Sequence, residues 1–166
     1  MEVPAVFPVY LGLGSNLGDS RGRIEWAFDR LEALFSGGRR SACYLTKPRD
    51  YPDQPDFINA CFAGRPLLPP EETLDRLKDL EAQAGRRRDP RFPKGPRTLD
   101  LDILLWGDRI IRTPDLEIPH SRLAERQFVL VPLLELDPGL VHPATGVPLS
   151  QILAQLEDQG IYYLGF

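Results

Sequence analysis

The chain has 166 residues, of which 42 % are hydrophobic and 27 % are charged. It is long enough to bury one core and too apolar for a disordered protein. Its formal net charge of −4 argues against a surface that binds nucleic acid or acidic membrane as a whole, so any anion site must be local. We expect a single domain over residues 1–166, without a nucleic-acid partner.

Several features predict a cytoplasmic protein. No apolar run reaches the length of a membrane span, and the residues Met1 to Pro4 lack the basic start of a signal peptide. The two cysteines, Cys43 and Cys61, lie in strand-like runs without metal-type spacing, which is typical of reduced, buried thiols. We therefore expect a cytoplasmic location and no membrane partner.

The first half of the chain is predicted to alternate strands and helices around a proline-rich loop. In chain order we predict a strand over Val9–Leu13, a turn over 14–19, a helix over Arg21–Phe35 ended by Gly37 and Gly38, a strand over Ser41–Leu45, a loop over 47–56, a strand over Phe57–Phe62, and a helix that opens at Pro69 and closes at Gly85. The loop contains three prolines among charged residues, so it cannot be the interior of a helix or strand. Loops of that length are often functional.

The second half begins with a basic, proline-interrupted loop over 86–97. After it we predict a strand over Thr98–Trp106, a short strand over 109–112, a helix over Arg122–Leu136 that Pro132 bends or restarts, a helix over Leu149–Leu156, and an edge strand over Ile161–Leu164. The order strand, helix, strand, strand, helix, strand predicts an α+β fold with a ferredoxin-like βαββαβ core. Its antiparallel sheet would be covered by helices on one face.

Residues 99–103, Leu-Asp-Leu-Asp-Ile, place two carboxylates in one strand. Because side chains alternate along a strand, Asp100 and Asp102 point to one face, about 7 Å apart at Cα, and the apolar residues point to the other. Magnesium prefers one or two carboxylates together with water and phosphate oxygens. A solvated acidic face is the alternative, but the aspartate face is expected to continue into Leu104 and Trp106.

Six basic side chains lie in the loop before these aspartates, opposed by a single acid. They are Arg86, Arg87, Arg88, Arg91, Lys94 and Arg97. Arginines and a cation together complement a polyphosphate, because both stabilise charge on phosphoryl oxygens. A solvated charge run is the alternative, but the prolines and the neighbouring acids favour a shaped phosphate-binding loop.

Three further segments allow two interpretations each. Residues 12–18, Gly-Leu-Gly-Ser-Asn-Leu-Gly, lack the third glycine of a dinucleotide-binding turn, so we interpret the glycines as permitting close approach of a backbone or ligand. His120 is either structural or, with Arg126, a nucleotide ligand.

Phe57 and Asn59 share one face of a strand. An aromatic ring and an amide on one face suit a flat heterocycle, and core packing is the alternative.

Together these segments resemble the 6-hydroxymethyl-7,8-dihydropterin pyrophosphokinase family of folate biosynthesis. The matching segments follow the family's order and cover nearly the whole chain: residues 12–18, 53–60, Glu81 with Gly85–Arg88, 95–103, Ile118–His120, 126–130 and 132–133. The most specific is 95–103, Gly-Pro-Arg-Thr-Leu-Asp-Leu-Asp-Ile. The resemblance implies a ferredoxin-like fold and an ATP-dependent pterin diphosphokinase. Its small-molecule substrates would be ATP and hydroxymethyl-dihydropterin, and its products AMP and the pterin diphosphate.

The resemblance also implies a role for each matching site residue. The implied catalytic residues are Asp100, Asp102, Arg86, Arg88 and Arg97, and the two aspartates would also hold two magnesium ions. The implied ATP-binding residues are Arg86, Arg88, Arg97, Ile103 on the adenine side, His120 and Arg126. The implied pterin-binding residues are Thr46 through its backbone, Phe57, Asn59 and Phe128. The family implies a monomer.

Two other functions stay open on the residues alone. An RNA- or phosphate-binding module that uses the basic loop would bind without magnesium and with steep salt dependence. A nucleotidyltransferase that uses the two aspartates would release pyrophosphate instead of AMP. No general base is assigned, because phosphoryl-type transfer depends mainly on positioning and charge neutralisation. The loops 47–56 and 86–95 are expected to act as lids.

Overall fold

The computed structural model describes residues 8–48, 53–85 and 98–166. Its strands are β1 (Val9–Ser15), β2 (Phe35–Arg40), β3 (Cys43–Thr46), β4 (Phe57–Pro66), β5 (Asp100–Trp106), β6 (Ile111–Arg112), β7 (Glu117–Ile118) and β8 (Ile161–Gly165). Its helices are α1 (Ser20–Leu31), α2 (Pro70–Gln83), α3 (Gln127–Leu136) and α4 (Leu149–Gln155), and a 3₁₀ turn covers Leu123–Glu125. Within these described ranges, no helix is both long and apolar enough to cross a membrane.

One antiparallel sheet dominates the fold and confirms the predicted α+β class. Its strands lie in the order β5-β1-β4-β3-β8, and β2 also pairs with β4. With α1 and α2, the strands β1, β3, β4 and β5 form the predicted ferredoxin-like βαββαβ core. This topology places β1 between β4 and β5, the strands that carry Asn59 and the two aspartates.

Helices cover both faces of this sheet, whereas the sequence predicted helices on one face only. Leu11 and Leu13 of β1 pack in a core with side chains of α1 and α2. Tyr10, on the alternate face of the same strand, packs in a second core with side chains of α3 and α4. The βαββαβ pattern does not specify where later helices pack, so the second core was not predictable from element order.

Helix α1 ends at Leu31, earlier than the predicted end at Phe35, because Phe35 belongs to the sheet. The Phe35 ring centroid lies 5.5 Å from that of Phe62. Gly64 permits this packing, since a Cβ atom at Gly64 would lie 2.7 Å from the Phe35 Cβ. Gly37, with φ of +61°, lies at the register irregularity of β2 and does not end a helix.

The helix predicted over 122–136 is interrupted at Arg126, and Pro132 is accommodated inside α3. Arg126 has an extended backbone, with φ of −122° and ψ of 109°, between the 3₁₀ turn and α3. The predicted break was therefore placed too late in the chain. Its actual position matters because Arg126 borders the candidate site.

Candidate active site

Two glycines of β1 form the floor of the candidate site. Gly14 pairs with Asn59 of β4 on one side and with Asp100 of β5 on the other, and Gly12 pairs with Asp102 of β5. Residues directly opposite each other in antiparallel strands point to the same face of the sheet. Asn59 and the two aspartates therefore stand on one face, on either side of a strip that carries no side chains.

Gly14 must be glycine for a steric reason. A Cβ atom at Gly14 would lie 2.8 Å from Asn59 Oδ1 and 3.8 Å from a ring carbon of Phe57. At Gly12 the nearest atom to an added Cβ is a Leu104 methyl carbon at 3.4 Å, which is ordinary contact. These glycines were predicted to permit close approach of a backbone or a ligand, but the group that approaches Gly14 is the side-chain amide of Asn59.

Asp100 and Asp102 occupy one face of β5, as the alternation predicted. Leu101 and Ile103 are buried on the opposite face in the core with α1 and α2, while Asp100 is half-buried and Asp102 exposed. Two carboxylates beside an open floor suit a hard cation. The described ranges hold no group of three or more His, Cys, Asp or Glu side chains that could hold a metal.

A bulge at Leu104 ends this alternation. The register between β1 and β5 shifts between Tyr10 and Leu11, which makes Leu104 the extra residue of β5. Leu104 keeps to the aspartate face, whereas Trp106 packs in the opposite core. The expectation that Trp106 continues the aspartate face is therefore wrong, because the bulge shifts the alternation by one residue.

The wall of the cleft opposite the aspartates is formed by β3 and β4. Asn59 is buried, and its Nδ2 donates a hydrogen bond of 2.6 Å to Thr46 Oγ1, which is also buried. Phe57 is two residues before Asn59 on the same face and is half-buried. Phe128, in the first turn of α3, borders the same cleft. The structure thus brings together the four residues predicted to bind a pterin.

His120 and Arg126 lie near the aspartate side. The His120 N–H donates to Leu104 O at 3.0 Å, and His120 Nδ1 accepts from the Arg122 N–H at 3.2 Å. A neutral ring then carries its hydrogen on Nε2. Burial lowers the pKa of His120, the nearby Asp102 opposes this effect, and the positive charge of Arg126 adds to it. Burial thus favours the neutral form of the imidazole.

Most of these residues border one cleft of about 300 Å³, but His120 is not among the residues that line it. Of the predicted site residues it contacts Thr46, Phe57, Asn59, Asp100, Asp102, Arg126 and Phe128. The Arg126 guanidinium carbon lies 5.3 Å from the centroid of the Phe128 ring, so the predicted phosphate ligand and a predicted pterin contact are adjacent. Lys47 and Arg122, which were not predicted, also line the cleft and add positive charge.

Residues 10–138 match the family described as 7,8-dihydro-6-hydroxymethylpterin-pyrophosphokinase. The chain belongs to this family. It is 42 % identical over 155 residues to the 2-amino-4-hydroxy-6-hydroxymethyldihydropteridine pyrophosphokinase of Pseudomonas aeruginosa, covering 92 % of this chain and 94 % of the relative. A relative of the same name from Aquifex aeolicus is 40 % identical over 143 residues, covering 86 % and 88 % of the two chains. The predicted class, a pyrophosphokinase, is confirmed.

Longer proteins contain a similar segment. The chain is 40 % identical to part of the folic acid synthesis protein fol1 of Pneumocystis carinii, covering 92 % of this chain and 20 % of that protein. It also superposes on a crystal structure of Plasmodium falciparum HPPK-DHPS with a TM-score of 0.70 and 14 % identity, over 91 % of this chain and 43 % of the other. That likeness concerns the fold alone.

Four further predicted site residues are not placed in the cleft by their side chains in the described structure: Ile103, Arg86, Arg88 and Arg97. The Ile103 side chain is buried on the face opposite the aspartates, so only its main chain could serve the expected adenine contact. Arg86, Arg88 and Arg97 lie outside the described residues. Their roles stay predictions.

Glu81 is a buried site residue to which sequence reasoning gave no role. Its Oε2 accepts a hydrogen bond of 3.0 Å from the Leu101 N–H, between the two aspartates. Glu81 is only 9 % exposed. The sequence contains a signal for the burial of this carboxylate. Glu81 follows Leu77 by four positions and therefore lies on the apolar face of α2.

Two polar side chains at the end of β1 tie the site to its surrounding loops. The Ser15 hydroxyl donates to Thr98 O at 2.5 Å, just before β5. Asn16 Nδ2 lies 2.9 Å from both Gln54 Oε1 and Pro55 O, in the proline-rich loop. The local sequence pointed only to the glycines of this motif, because partners distant in sequence leave no local signal.

Proposed function

We propose that the cleft binds ATP and 6-hydroxymethyl-7,8-dihydropterin side by side and transfers pyrophosphate from ATP to the pterin, in folate biosynthesis. The observation that carries this proposal is the pairing of Gly14 with Asn59 on one side and Asp100 on the other. The Asn59 amide suits a heterocycle and the Asp100 carboxylate suits a cation. The two residues lie two strand spacings apart, each of about 4.8 Å. A pterin held at Asn59 can then present its hydroxymethyl group near Asp100 across the bare floor.

The pterin end of the cleft is built from β3, β4 and α3. Phe57 and Phe128 would sandwich the flat ring, and Asn59 would pair with its polar edge. The hydrogen bond from Asn59 to Thr46 fixes the amide before any ligand arrives. Because both partners are buried, this preorganisation saves the entropy of ordering the amide on binding.

The phosphate end is built around the aspartates. Asp100 and Asp102 would hold magnesium, two ions in our proposal, and the metal when bound supplies positive charge to the phosphate oxygens. Arg126 adds positive charge from the N-terminus of α3. His120, whose pKa burial lowers, would offer its Nε2 hydrogen as a donor, because its Nδ1 accepts the Arg122 N–H. Arg86, Arg88 and Arg97 would complete the neutralisation from the basic loop.

The transfer itself is a displacement at the β-phosphorus of ATP. The hydroxymethyl oxygen forms a bond to that phosphorus, while the bond from the phosphorus to the oxygen that bridges to the α-phosphorus breaks. AMP leaves with the bridging oxygen, and the hydroxyl proton is released. The residues of this chain act by positioning and by electrostatic stabilisation. We further propose that the protein is cytoplasmic and is a monomer with one domain over residues 1–166. Light scattering in solution would check the monomeric state.

Product analysis distinguishes this proposal from its alternatives. The protein is incubated with ATP, magnesium and the reduced pterin, and the nucleotides are separated by chromatography. Our proposal predicts AMP and the pterin diphosphate in equal amounts, produced only when all three components are present. Release of pyrophosphate would identify a nucleotidyltransferase, and absence of any turnover would favour a binding module.

A further inference from the structure

Helix α3 begins without a capping side chain from its own N-terminus. Its N-cap residue is Arg126, which makes no side-chain hydrogen bond to the first turn. Ser, Thr, Asp and Asn are preferred at this position because their oxygens accept a backbone N–H, and arginine carries no acceptor. An arginine at the N-cap therefore leaves the first N–H groups of α3 in need of another partner.

Gln159, far along the chain, supplies that partner. Gln159 Oε1 accepts a hydrogen bond of 2.9 Å from the Gln127 N–H, the first residue of α3. In return, Gln127 Oε1 accepts one of 2.8 Å from the Gln159 N–H. Gln159 Nε2 also donates to Glu125 O at 3.0 Å. We call these three bonds the glutamine clasp.

The clasp joins two walls of the cleft. On one side it holds the segment Glu125–Phe128, which contains Arg126. On the other side, the residues that follow Gln159 are anchored to β3: the Lys47 N–H bonds to Gly160 O at 3.3 Å, and β8 pairs with β3 from Ile161 and Thr46 onwards. Gln159 thus lies between the Arg126 wall and the Thr46 wall.

A neutral amide suits this position better than the usual capping residues. An aspartate at the N-cap would take the place of Arg126 and add a negative charge beside the cleft, where it would repel phosphate. Capping from Gln159 satisfies the helix N–H without adding charge. Arg126 can therefore occupy the N-cap position, and it lines the cleft.

We propose that Gln159 and Gln127 are positioning residues that set Arg126 and Phe128 at their working distance from the opposite wall. This inference rests on the proposed function, because it assigns Arg126 to the phosphates and Phe128 to the pterin. Since both lie on the clasped segment, loosening the clasp weakens the binding of both ligands. A purely structural clasp would lower thermal stability and leave both affinities unchanged.

The test is calorimetric titration of each ligand alone, a non-hydrolysable ATP analogue with magnesium and the reduced pterin, into four variants. Gln159→Ala and Gln127→Ala each remove part of the clasp, and Gln127→Glu retains an acceptor for the Gln159 N–H. Gln151→Ala, at an exposed position of α4, is the matched control. We expect Gln159→Ala to weaken both ligands about fivefold, the factor for one net hydrogen bond. Gln127→Glu should keep its pterin affinity near wild type, although its added charge beside Arg126 weakens the nucleotide, and Gln151→Ala should keep both affinities.

An epistasis measurement strengthens the test. Arg126→Ala should weaken the nucleotide less in the Gln159→Ala background than in wild type, because Arg126 is already displaced there. Should Gln159→Ala prove too unstable to titrate, pterin titration of Gln127→Ala against Gln127→Glu carries the same comparison. Equal affinities in Gln159→Ala and Gln151→Ala, or full additivity with Arg126→Ala, overturn the positioning role.

A ligand-free measurement separates this inference from the proposed function. Hydrogen exchange of the Gln127 amide should be faster in Gln159→Ala than in Gln151→Ala, whatever the ligands are. If wild type binds neither ligand, the proposed function fails and the positioning role fails with it. If wild type binds both ligands while exchange at Gln127 is unchanged by Gln159→Ala, the clasp alone is refuted.

Discussion

At the scale of single residues, the site is defined by where side chains are missing as much as by where they stand. Gly14 separates Asn59 from Asp100 across the sheet, and any side chain at this position would enter the space of the amide. Gly12 lies between Cys61 of β4 and Asp102 of β5 and has room for a methyl group. The two glycines are therefore unequal, although the sequence presents them as one motif.

Gly14→Ala tests this inequality. The added methyl, 2.8 Å from Asn59 Oδ1, should displace the amide from its bond to Thr46 and weaken pterin binding by about 1–2 kcal/mol. Gly12→Ala is the matched control and should have a smaller effect. Calorimetric titration with the reduced pterin makes the comparison. Equal affinities of the two variants for the pterin would contradict the steric role of Gly14.

Alternation along one strand was enough to predict that Asp100 and Asp102 share a face, because that rule involves only neighbours in sequence. The Gly14–Asn59 contact could not be predicted in the same way, since cross-strand register is set by packing between distant segments. Trp106 shows the limit of the alternation rule. A single bulge, with no sequence signal of its own, moved this residue to the opposite core.

At the scale of elements, α2 supports the strand that carries the aspartates. The Glu81 carboxylate accepts the Leu101 N–H on the buried side of β5. This bond fixes the backbone between the two metal-binding candidates. Glu81 therefore affects the site through β5 and is a positioning residue.

Glu81→Ala should destabilise the protein by about 1–3 kcal/mol, because a buried N–H loses its acceptor. It should also weaken binding of the magnesium nucleotide. Glu81→Gln keeps an acceptor of the same length and should recover most of both losses. Chemical denaturation and nucleotide titration measure the two effects. An alanine variant with normal stability and normal nucleotide affinity would show that Leu101 does not depend on this bond.

The contact between β2 and β4 gives a stability prediction that is independent of the site. Gly64→Ala places a Cβ atom 2.7 Å from Phe35 Cβ and should cost about 1–3 kcal/mol of unfolding free energy through overpacking. Gly139→Ala is the control, since its Cβ would meet nothing closer than 3.9 Å. Urea denaturation compares the two. Ligand affinities should be unchanged in both variants, and a stable Gly64→Ala protein would refute the packing argument.

Element boundaries were predicted less well than element order. The apolar spacing of α1 continues past Leu31, so helical periodicity alone extended the helix to Phe35, which tertiary packing assigns to β2. The break before α3 falls at Arg126 and not at Pro132, because the Gln159 bonds stabilise a helix start there. Both errors arise where a contact distant in sequence overrides a local preference.

At the scale of the whole molecule, the βαββαβ order was predictable because each element has a local signal. The second helical layer was not, since nothing local states that α3 and α4 return to the open face of the sheet. That layer is what turns a sheet surface into a cleft. It brings Arg126 and Phe128 to the same cleft as Asn59 and the two aspartates.

We propose that one sheet face holds two separate half-sites, one for the pterin and one for the magnesium nucleotide. Calorimetric titration of each ligand alone into Asn59→Ala and Asp102→Asn tests it most directly. We predict that Asn59→Ala weakens the pterin by about 1–3 kcal/mol and leaves the magnesium nucleotide near its wild-type affinity. Asp102→Asn should do the reverse. If both variants weaken the same ligand, or each weakens both ligands equally, the two half-sites do not exist as described.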